Sequence, residues 1–294
     1  MATQGEEKLV WDSPSFAKMY KLAERVTGPF AEDMIKQSGL PSYEHDKAVV
    51  LDNACGTGVV MAKLMGGNLI STALCSTLDL TCADFAGAMV NATKDNATAA
   101  GWSNVKTVRA DAMDTKLPSS SFTHILFNFG PFLLPDPAAG MRECKRMLQP
   151  SGTLGLTTWE HVPWIDEYRP VFEQHPEFPP YPAHDELQRL FSTASAPHPW
   201  DTAAGVEAHL KTHGFTDIKV QRATHILTLN VDDAVSMTPG TIGMFASKLW
   251  TQEQRDTFMI PASTAVEEYL RDKYGDNNFT WEWKGLVGTG RNPE

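Results

Sequence analysis

Cysteine, basic charge and long apolar runs are all scarce in this chain of 294 residues. Its four cysteines, at positions 55, 75, 82 and 144, have neither the spacing of a zinc site nor that of a disulfide framework, so we expect reduced thiols and a cytoplasmic protein. Lysine and arginine number 25 against 36 acidic residues, and the net charge of −11 argues against a nucleic-acid partner. No apolar run reaches the length of a membrane span, and residues 1–10 do not resemble a secretory signal, so we expect no membrane partner.

From residue 48 onwards, short apolar runs alternate with stretches of helical periodicity. The first of these runs, at 48–51, is apolar throughout, as expected of a parallel strand that is covered on both faces. This rhythm is typical of a doubly wound sheet. The predicted strands are 48–51, 78–83, 105–110, 122–129, 153–159, 217–229 and 279–290. The predicted fold class is therefore α/β: a Rossmann-like, seven-stranded, mostly parallel sheet with helices on both faces.

Other patterns flank and interrupt this rhythm. A helical pattern follows Ser13, with a predicted break at Gly28-Pro29 and an end at Gly39. Eight of the 19 prolines lie between 163 and 199, which predicts an irregular insertion with short helices, since proline disrupts regular helices and central strands. Helical patterns over 231–248 and 251–274 predict a further cap.

The most informative segment is Val49–Gly58, in which a buried strand runs into a glycine-rich turn and then a helix. Gly56 and Gly58 let the backbone approach a ligand closely, and the helix start presents free N–H groups. A dinucleotide fingerprint needs a third glycine where this chain has Met61, and no phosphate-loop lysine follows, so a dehydrogenase is disfavoured. Asp52, before the turn, suits a cationic amino-acid ligand better than a pyrophosphate.

The segment Leu-Asp-Asn-Ala-Cys-Gly-Thr-Gly resembles the first motif of class I S-adenosylmethionine-dependent methyltransferases. Further features follow in the order of that family: Asp84 after the second strand, Asp111-Ala112 after the third, the fourth strand at 122–129, and Arg142-Glu143 with Pro150-Ser151-Gly152 before the fifth. His124, where many relatives have aspartate, and Ser151, in place of a common glycine, depart from the pattern. Neither is a cofactor position.

The resemblance implies that S-adenosylmethionine binds as cofactor and leaves as S-adenosylhomocysteine, with no metal. It implies that Asp84 contacts the ribose, Asp111 the adenine and the end of the fourth strand the methionine part, under an N-terminal helix that carries Tyr20. The residues assigned to the cofactor in this way are Tyr20, Asp52, Asn53, Ala54, Gly56, Gly58, Asp84, Phe85, Met89, Asp111, Ala112, Asn128 and Phe129.

Several of these residues also fit a structural role. Asp84 suits a helix cap, and Asp111 suits a turn. Asp52 also suits a role in fixing the glycine turn, and Asn128 suits a cap at the end of a strand. A tyrosine such as Tyr20 on an amphipathic helix is more often a core residue than a ligand contact.

A narrower resemblance is to fungal secondary-metabolite methyltransferases. It rests on Ser15–Tyr20, Thr27-Gly28-Pro29, Thr158-Trp159 and Trp250–Arg255, together with the glycine motif. It implies a small-molecule acceptor, a natural product, methylated on a thiol, hydroxyl or amine. The parts of the chain are then an N-terminal lid (1–40), a cofactor-binding core (41–160), an insertion that forms part of the acceptor pocket (161–202), and a region that completes the sheet with a helical cap (203–294).

The fifth strand leads into the crevice where open α/β sheets bind ligands. His161 at its end is our candidate general base, ahead of Glu160, His184 and His198, although a loop histidine without function fits as well. The candidate walls of the acceptor pocket are Phe132, Trp159 and Trp164. Two alternatives stay open: a cofactor-binding relative that catalyses a non-methylating step such as a cyclisation, and a non-catalytic regulatory partner. The sequence leaves the oligomeric state open.

Overall fold

The computed structural model describes residues 14–44, 47–191 and 198–294, apart from the side chains of 14–21, 188 and 191. Within these residues the chain divides into two compact units. The core unit takes in the chain up to Glu160 together with parts of 191–223 and 284–294. The second unit consists of 161–190 and 224–283.

Seven strands form one sheet, in the order β3-β2-β1-β4-β5-β7-β6. The pairs β1·β2, β1·β4, β2·β3 and β4·β5 are parallel. Strands β1 and β4 are almost wholly buried, as a strand covered on both faces should be. The strands are β1 (Val49–Asn53), β2 (Asp79–Asp84), β3 (Val105–Arg109), β4 (Phe122–Asn128), β5 (Leu148–His161), β6 (Thr216–Leu229) and β7 (Phe279–Arg291). The predicted seven-stranded α/β fold is confirmed.

Helices follow most of these strands. They are α1 (Pro14–Gln37), α2 (Val59–Gly66), α3 (Thr72–Thr77), α4 (Gly87–Ala99), α5 (Pro137–Met147), α6 (Trp164–Glu167), α7 (Arg169–Gln174), α8 (His184–Gln188), α9 (Ala203–Thr212), α10 (Val231–Leu249) and α11 (Gln252–Tyr274). The short α3 was not predicted, because its six residues have no buried face and so leave no hydrophobic period in the sequence. No helix among the described residues is long and apolar enough to cross a bilayer.

The first helix is continuous, so the predicted break at Gly28-Pro29 is wrong. Burial explains why the helix tolerates a proline. Ala31, Met34 and Ile35, just beyond it, are fully buried in the core beneath the sheet, and this packing offsets the lost backbone hydrogen bond. Gly28 also lies against α2, where a Cβ atom would stand 3.0 Å from Cε of Lys63. The predicted end is confirmed: Gly39 has φ of 81° just after the helix.

The edges of two strands differ from the prediction in a way that matters for the site. Strand β1 continues to Asn53, so Asp52 and Asn53 belong to the buried strand and not to the turn. Strand β5 begins at Leu148. Ser151, with φ of 61°, lies where the pairing of β5 with β4 shifts register, and the strand continues through it. The turn predicted over 150–152 is therefore part of the strand.

The second unit has an aromatic core. Tyr168, Phe172 and Phe245 are buried there, and the Tyr168 hydroxyl lies 3.3 Å from the hydroxyls of Thr238 and Thr241. Helices α6, α7 and α8 are all short, as predicted for a proline-rich insertion.

Candidate functional site

The glycine-rich turn joins β1 to α2 through a run of left-handed residues. Ala54 has φ of 55°, Gly56 of 55° and Gly58 of 96°. At Gly58 a Cβ atom would stand 2.8 Å from Cε of Met61 and 3.2 Å from Cγ2 of Thr93. Glycine is needed here for its backbone conformation and also for space.

Side chains from β2 and α4 hold this turn in place. One carboxylate oxygen of Asp84 accepts a hydrogen bond from the backbone N–H of Gly56, and the other accepts from Ala86, both at 2.9 Å. The hydroxyl of Thr93 donates to the carbonyl of Gly56 at 2.8 Å, and the side-chain amide of Asn96 donates to Thr57 at 3.0 Å. Asp84 therefore shapes the turn, whether or not it also contacts a ligand.

A cleft opens above the turn, between α1, the end of β1 and the end of β4. Its lining residues are Thr27, Asp52, Ala54, Cys55, Gly56, Thr57, Val59, Val60 and Asn128. Of the residues predicted from the sequence, Asp52, Ala54, Gly56 and Asn128 thus lie together. Helix α1 reaches the turn directly, since the hydroxyl of Thr57 donates to the carboxylate of Glu24.

Sequence reasoning missed the threonines of this cleft. The sequence predicts that Thr27 is on the first helix. It lines the cleft because α1 packs against the turn. Thr57 lies inside the glycine motif and was passed over as a spacer, although hydroxyl groups near a helix start often make hydrogen bonds. Helical periodicity and motif spacing carry no signal for either contact.

Asp52 is the most unusual group in the cleft. Its side chain is buried, and neither carboxylate oxygen has a hydrogen-bond partner within ordinary distance and angle among the described residues. Burial raises the pKa of Asp52 to about 8; the Asp84 charge acts in the same direction, and the backbone of Met61 opposes it only in part. A buried carboxyl without partners is costly, and a cation in the cleft would offset that cost.

The residues predicted to contact the adenosine lie at the ends of β2 and β3, which are neighbouring parallel strands. Asp111 accepts a hydrogen bond from the backbone N–H of Met113 at 2.9 Å, so it also stabilises a turn. Ala112 is buried beside it, and Phe85 is partly exposed. Met89 is almost fully buried against Ala86.

Three aromatic rings pack beside the end of β4. The rings of Phe129 and Trp159 are stacked, with centroids 3.9 Å apart, and Phe30 of α1 meets both edge-on at 5.4 and 5.3 Å. Phe132 is buried nearby in the chain, in a short 3-10 helix. The rings make a dry wall at this end of β4 and β5.

His161, Trp164 and Tyr20 were also predicted as site residues. His161 and Trp164 are part of the second unit, where Trp164 is 2% exposed and packs on Phe245. Nε2 of His161 lies 3.5 Å from a carboxylate oxygen of Asp166, whose other oxygen lies 3.9 Å from Nδ1 of His184. The backbone of Tyr20 is in α1, but its side chain falls outside the described residues.

The weaker base candidates in the core unit have structural partners. Glu160 forms an ion pair with Arg222. The ring of His198 packs edge-on against the ring of His209, with centroids 5.6 Å apart. His124, one departure from the family pattern, is buried, and burial lowers its pKa to about 4, so it is neutral at pH 7. Its Nδ1 lies 3.0 Å from the hydroxyl of Thr123, which agrees with a structural role.

Comparisons with known proteins agree with this geometry. Residues 50–152 match a family described as a methyltransferase domain. The chain is 32% identical to the methyltransferase tpcH of Aspergillus fumigatus over 97% of this chain and 99% of that one. It is also 32% identical to the acetylaranotin bis-thiomethyltransferase of Aspergillus terreus, over 96% of each.

Solved structures share the fold at low sequence identity. The YcgJ protein of Bacillus subtilis has a TM-score of 0.51 at 16% identity, over 90% of this chain and 99% of that one. A phosphoethanolamine N-methyltransferase of Haemonchus contortus, solved with S-adenosylhomocysteine, has a TM-score of 0.51 at 15% identity, over 96% and 58%. Together with the sequence matches along nearly the whole chain, the fold and the glycine-turn cleft show that this protein belongs to the methyltransferase family of these fungal enzymes.

Proposed function

We propose that the protein transfers a methyl group from S-adenosylmethionine to a small-molecule acceptor, a natural product with a thiol, hydroxyl or amine nucleophile. The observation that carries the choice of cofactor is Asp52, a buried carboxyl in a cleft made by a glycine turn, with no hydrogen-bond partner of ordinary geometry among the described residues. The amino-acid end of S-adenosylmethionine carries an ammonium group, which is the partner that such a carboxyl needs.

The residues of the core unit fit the rest of the cofactor. Gly56 lines the cleft without a side chain, and the turn needs Gly58 for its backbone conformation and for space against Met61 and Thr93. Asp84, whose carboxylate holds the turn through Gly56 and Ala86, is the candidate for the ribose hydroxyls, as the family pattern implies. Asp111 on the next strand is the candidate for the adenine, as the family pattern implies. The relative from Haemonchus, which was solved with S-adenosylhomocysteine, supports this choice of cofactor.

The cofactor, when bound, supplies an electrophilic methyl group on a positively charged sulfur. The protein then has to align the nucleophile with that group and exclude water, and good alignment alone supplies about 7–11 kcal/mol. Phe30, Phe129 and Trp159 provide a dry wall for this purpose. The reaction needs no metal in this scheme.

Among possible acceptors, we favour a thiol. One relative is named as a bis-thiomethyltransferase. A thiol with a pKa of about 8.5 ionises readily near neutral pH and needs little help from a base, whereas a phenol with a pKa of about 10 gains more from one. The four free cysteines of the chain agree with action in the reducing cytoplasm.

The test of this function is a titration followed by a transfer assay. We expect S-adenosylmethionine and S-adenosylhomocysteine to bind at one site, with heat in calorimetry and a raised melting temperature. Cofactor labelled in its methyl group should then label a thiol from a panel of thiols, phenols and amines. Folded protein that binds neither compound would end the proposal. Binding without transfer of label to any acceptor would favour the non-methylating alternative.

Replacing His161 with alanine tests the candidate base. If His161 takes a proton from the acceptor, kcat for a phenol should fall by about 10²–10⁴-fold, while a thiol acceptor loses less and cofactor affinity stays the same. His175→Ala is the matched control, because His175 is in the same unit and pairs with a different acid, Glu177, at 2.9 Å. Equal rates for wild type and His161→Ala on a phenol would show that His161 is not the base.

A further inference from the structure

A single buried hydroxyl links the end of β4 to β5. Thr157 is fully buried, and its Oγ1 donates a hydrogen bond to Oδ1 of Asn128 at 2.8 Å. The same oxygen accepts a hydrogen bond from the backbone N–H of Phe129 at 2.8 Å. Thr157 therefore fixes two successive residues at the point where β4 meets the cleft.

The first consequence concerns the backbone of Phe129. With φ of 53°, Phe129 is in the left-handed region, which costs a bulky residue about 1–3 kcal/mol. The hydrogen bond to Thr157 helps to hold this conformation, and the conformation places the ring on Trp159 at 3.9 Å. Without the hydroxyl, one of the contacts that offset the backbone strain at Phe129 would be lost.

The second consequence concerns the polarity of Asn128. Because Thr157 donates to Oδ1, the oxygen side of the carboxamide is directed at the hydroxyl. The NH₂ side is then the part of the group that remains for the cleft, which Asn128 lines together with Asp52. A carboxamide held in this way offers its NH₂ hydrogen-bond donors to a ligand atom that accepts.

We propose that Thr157 is a positioning residue of the methyl-transfer site: its hydroxyl orients the Asn128 carboxamide as a donor toward the carboxylate of a zwitterionic amino-acid ligand and fixes Phe129 against Trp159. The cleft then has an acid, Asp52, for the ammonium and an amide donor, Asn128, for the carboxylate. This inference rests on the proposed use of S-adenosylmethionine. It adds that the ammonium group of the ligand binds at Asp52 and that its carboxylate binds at Asn128.

Thr157→Val is the direct test, because valine keeps the shape of threonine and removes only the hydroxyl. The neighbouring Thr158→Val is the matched control: Thr158 is equally buried, and its hydroxyl donates to the carbonyl of Trp200 at 2.7 Å, away from the cleft. Both variants should lower the melting temperature, and Thr157→Val should lower it more, because the Thr157 hydroxyl has two hydrogen-bond partners and the Thr158 hydroxyl donates to one. Thr157→Ser keeps the hydroxyl and should behave like the wild type in binding.

Binding is measured with S-adenosylhomocysteine and with its analogue that lacks the carboxylate. We expect Thr157→Val to weaken S-adenosylhomocysteine about tenfold, and Thr158→Val to leave its Kd within about twofold of wild type. The decarboxylated analogue should bind Thr157→Val and wild type equally. Asn128→Asp, which replaces the donor by an acid, should weaken S-adenosylhomocysteine more strongly than the analogue.

Two results would overturn the inference. One is an equal loss of affinity in Thr157→Val and Thr158→Val, which would reduce Thr157 to a structural hydroxyl. The other is an equal loss for S-adenosylhomocysteine and its decarboxylated analogue, which would remove the carboxylate as the recipient. Either result would leave the proposed function standing if the wild type binds the cofactor. If the wild type binds neither compound, the proposed function fails and the inference fails with it.

Discussion

Replacing Asp52 with asparagine is expected to weaken the binding of S-adenosylhomocysteine by more than tenfold and to raise the melting temperature of the ligand-free protein. The variant removes the charge that would meet the ligand's ammonium group, so affinity falls. It also removes a buried carboxyl for which the described residues provide no hydrogen-bond partner of ordinary geometry, so the free energy of unfolding rises.

The effect on stability depends on pH. The pKa of Asp52 is raised from 3.8 to about 8 on folding, so between these values the folded state holds a proton that the unfolded state has lost. The contribution of Asp52 to stability is therefore greatest below pH 3.8 and falls as pH rises through that window, by about 4 kcal/mol at pH 7. The melting temperature of the Asn variant should exceed that of wild type increasingly from pH 5 to pH 8.

Ligand binding should also release a proton at pH 7. Asp52 is largely protonated in the ligand-free fold, and an ammonium group beside it favours the ionised form. Calorimetry in buffers with different ionisation enthalpies should show up to one proton released by wild type and none from this site in Asp52→Asn. The exposed Asp114, paired with Lys116, supplies the control Asp114→Asn. Proton release that is the same in wild type and Asp52→Asn would contradict the assigned role.

Gly58→Ala is expected to cost about 2–4 kcal/mol of stability and to abolish most cofactor binding. Two effects combine at this position. A φ of 96° is strained for any residue with a Cβ atom, and the new atom would lie 2.8 Å from Met61 and 3.2 Å from Thr93. Thr93 also donates a hydrogen bond to Gly56, so relief of the collision would displace the turn that lines the cleft.

Gly101→Ala separates backbone strain from collision. Gly101 has φ of 74°, but a Cβ atom there would meet nothing within 4 Å. We expect it to cost about 1 kcal/mol and to leave the Kd of S-adenosylhomocysteine unchanged. Denaturant unfolding and calorimetry on both variants make the comparison. If Gly58→Ala behaves like Gly101→Ala in both measurements, the turn has more room than the structure indicates.

Periodicity and motif spacing were enough to predict the sheet. Strands β1 and β4, which end at the cleft, are mainly apolar and buried. A short apolar run of this kind predicts a strand that is covered on both faces. The same patterns misjudged Gly28-Pro29, because the burial of Ala31, Met34 and Ile35 against distant strands outweighs the local preference of proline. They also missed α3, which buries no residue.

The cofactor site also combines features that the sequence predicts with contacts that it does not predict. The spacing of Asp52, Gly56 and Gly58 indicates a ligand turn, because glycine favours a left-handed backbone and an acid suits a cationic ligand. The motif spacing does not predict that the hydroxyl of Thr157 hydrogen-bonds to Asn128, which is 29 residues earlier in the chain. The pairing of β4 with β5 brings the two residues together.

By itself the amino-acid sequence determined which segments become strands, where the ligand turn lies and which enzyme family the chain resembles, because each depends on residues close together in the chain. Only the tertiary structure decided that Asp52 is buried with no hydrogen-bond partner of ordinary geometry in the described part of the chain, that α1 contacts the turn through Glu24, and that Thr157 hydrogen-bonds to Asn128. Burial and hydrogen bonding are set by segments that are remote in sequence, and a local pattern does not encode which of them meet.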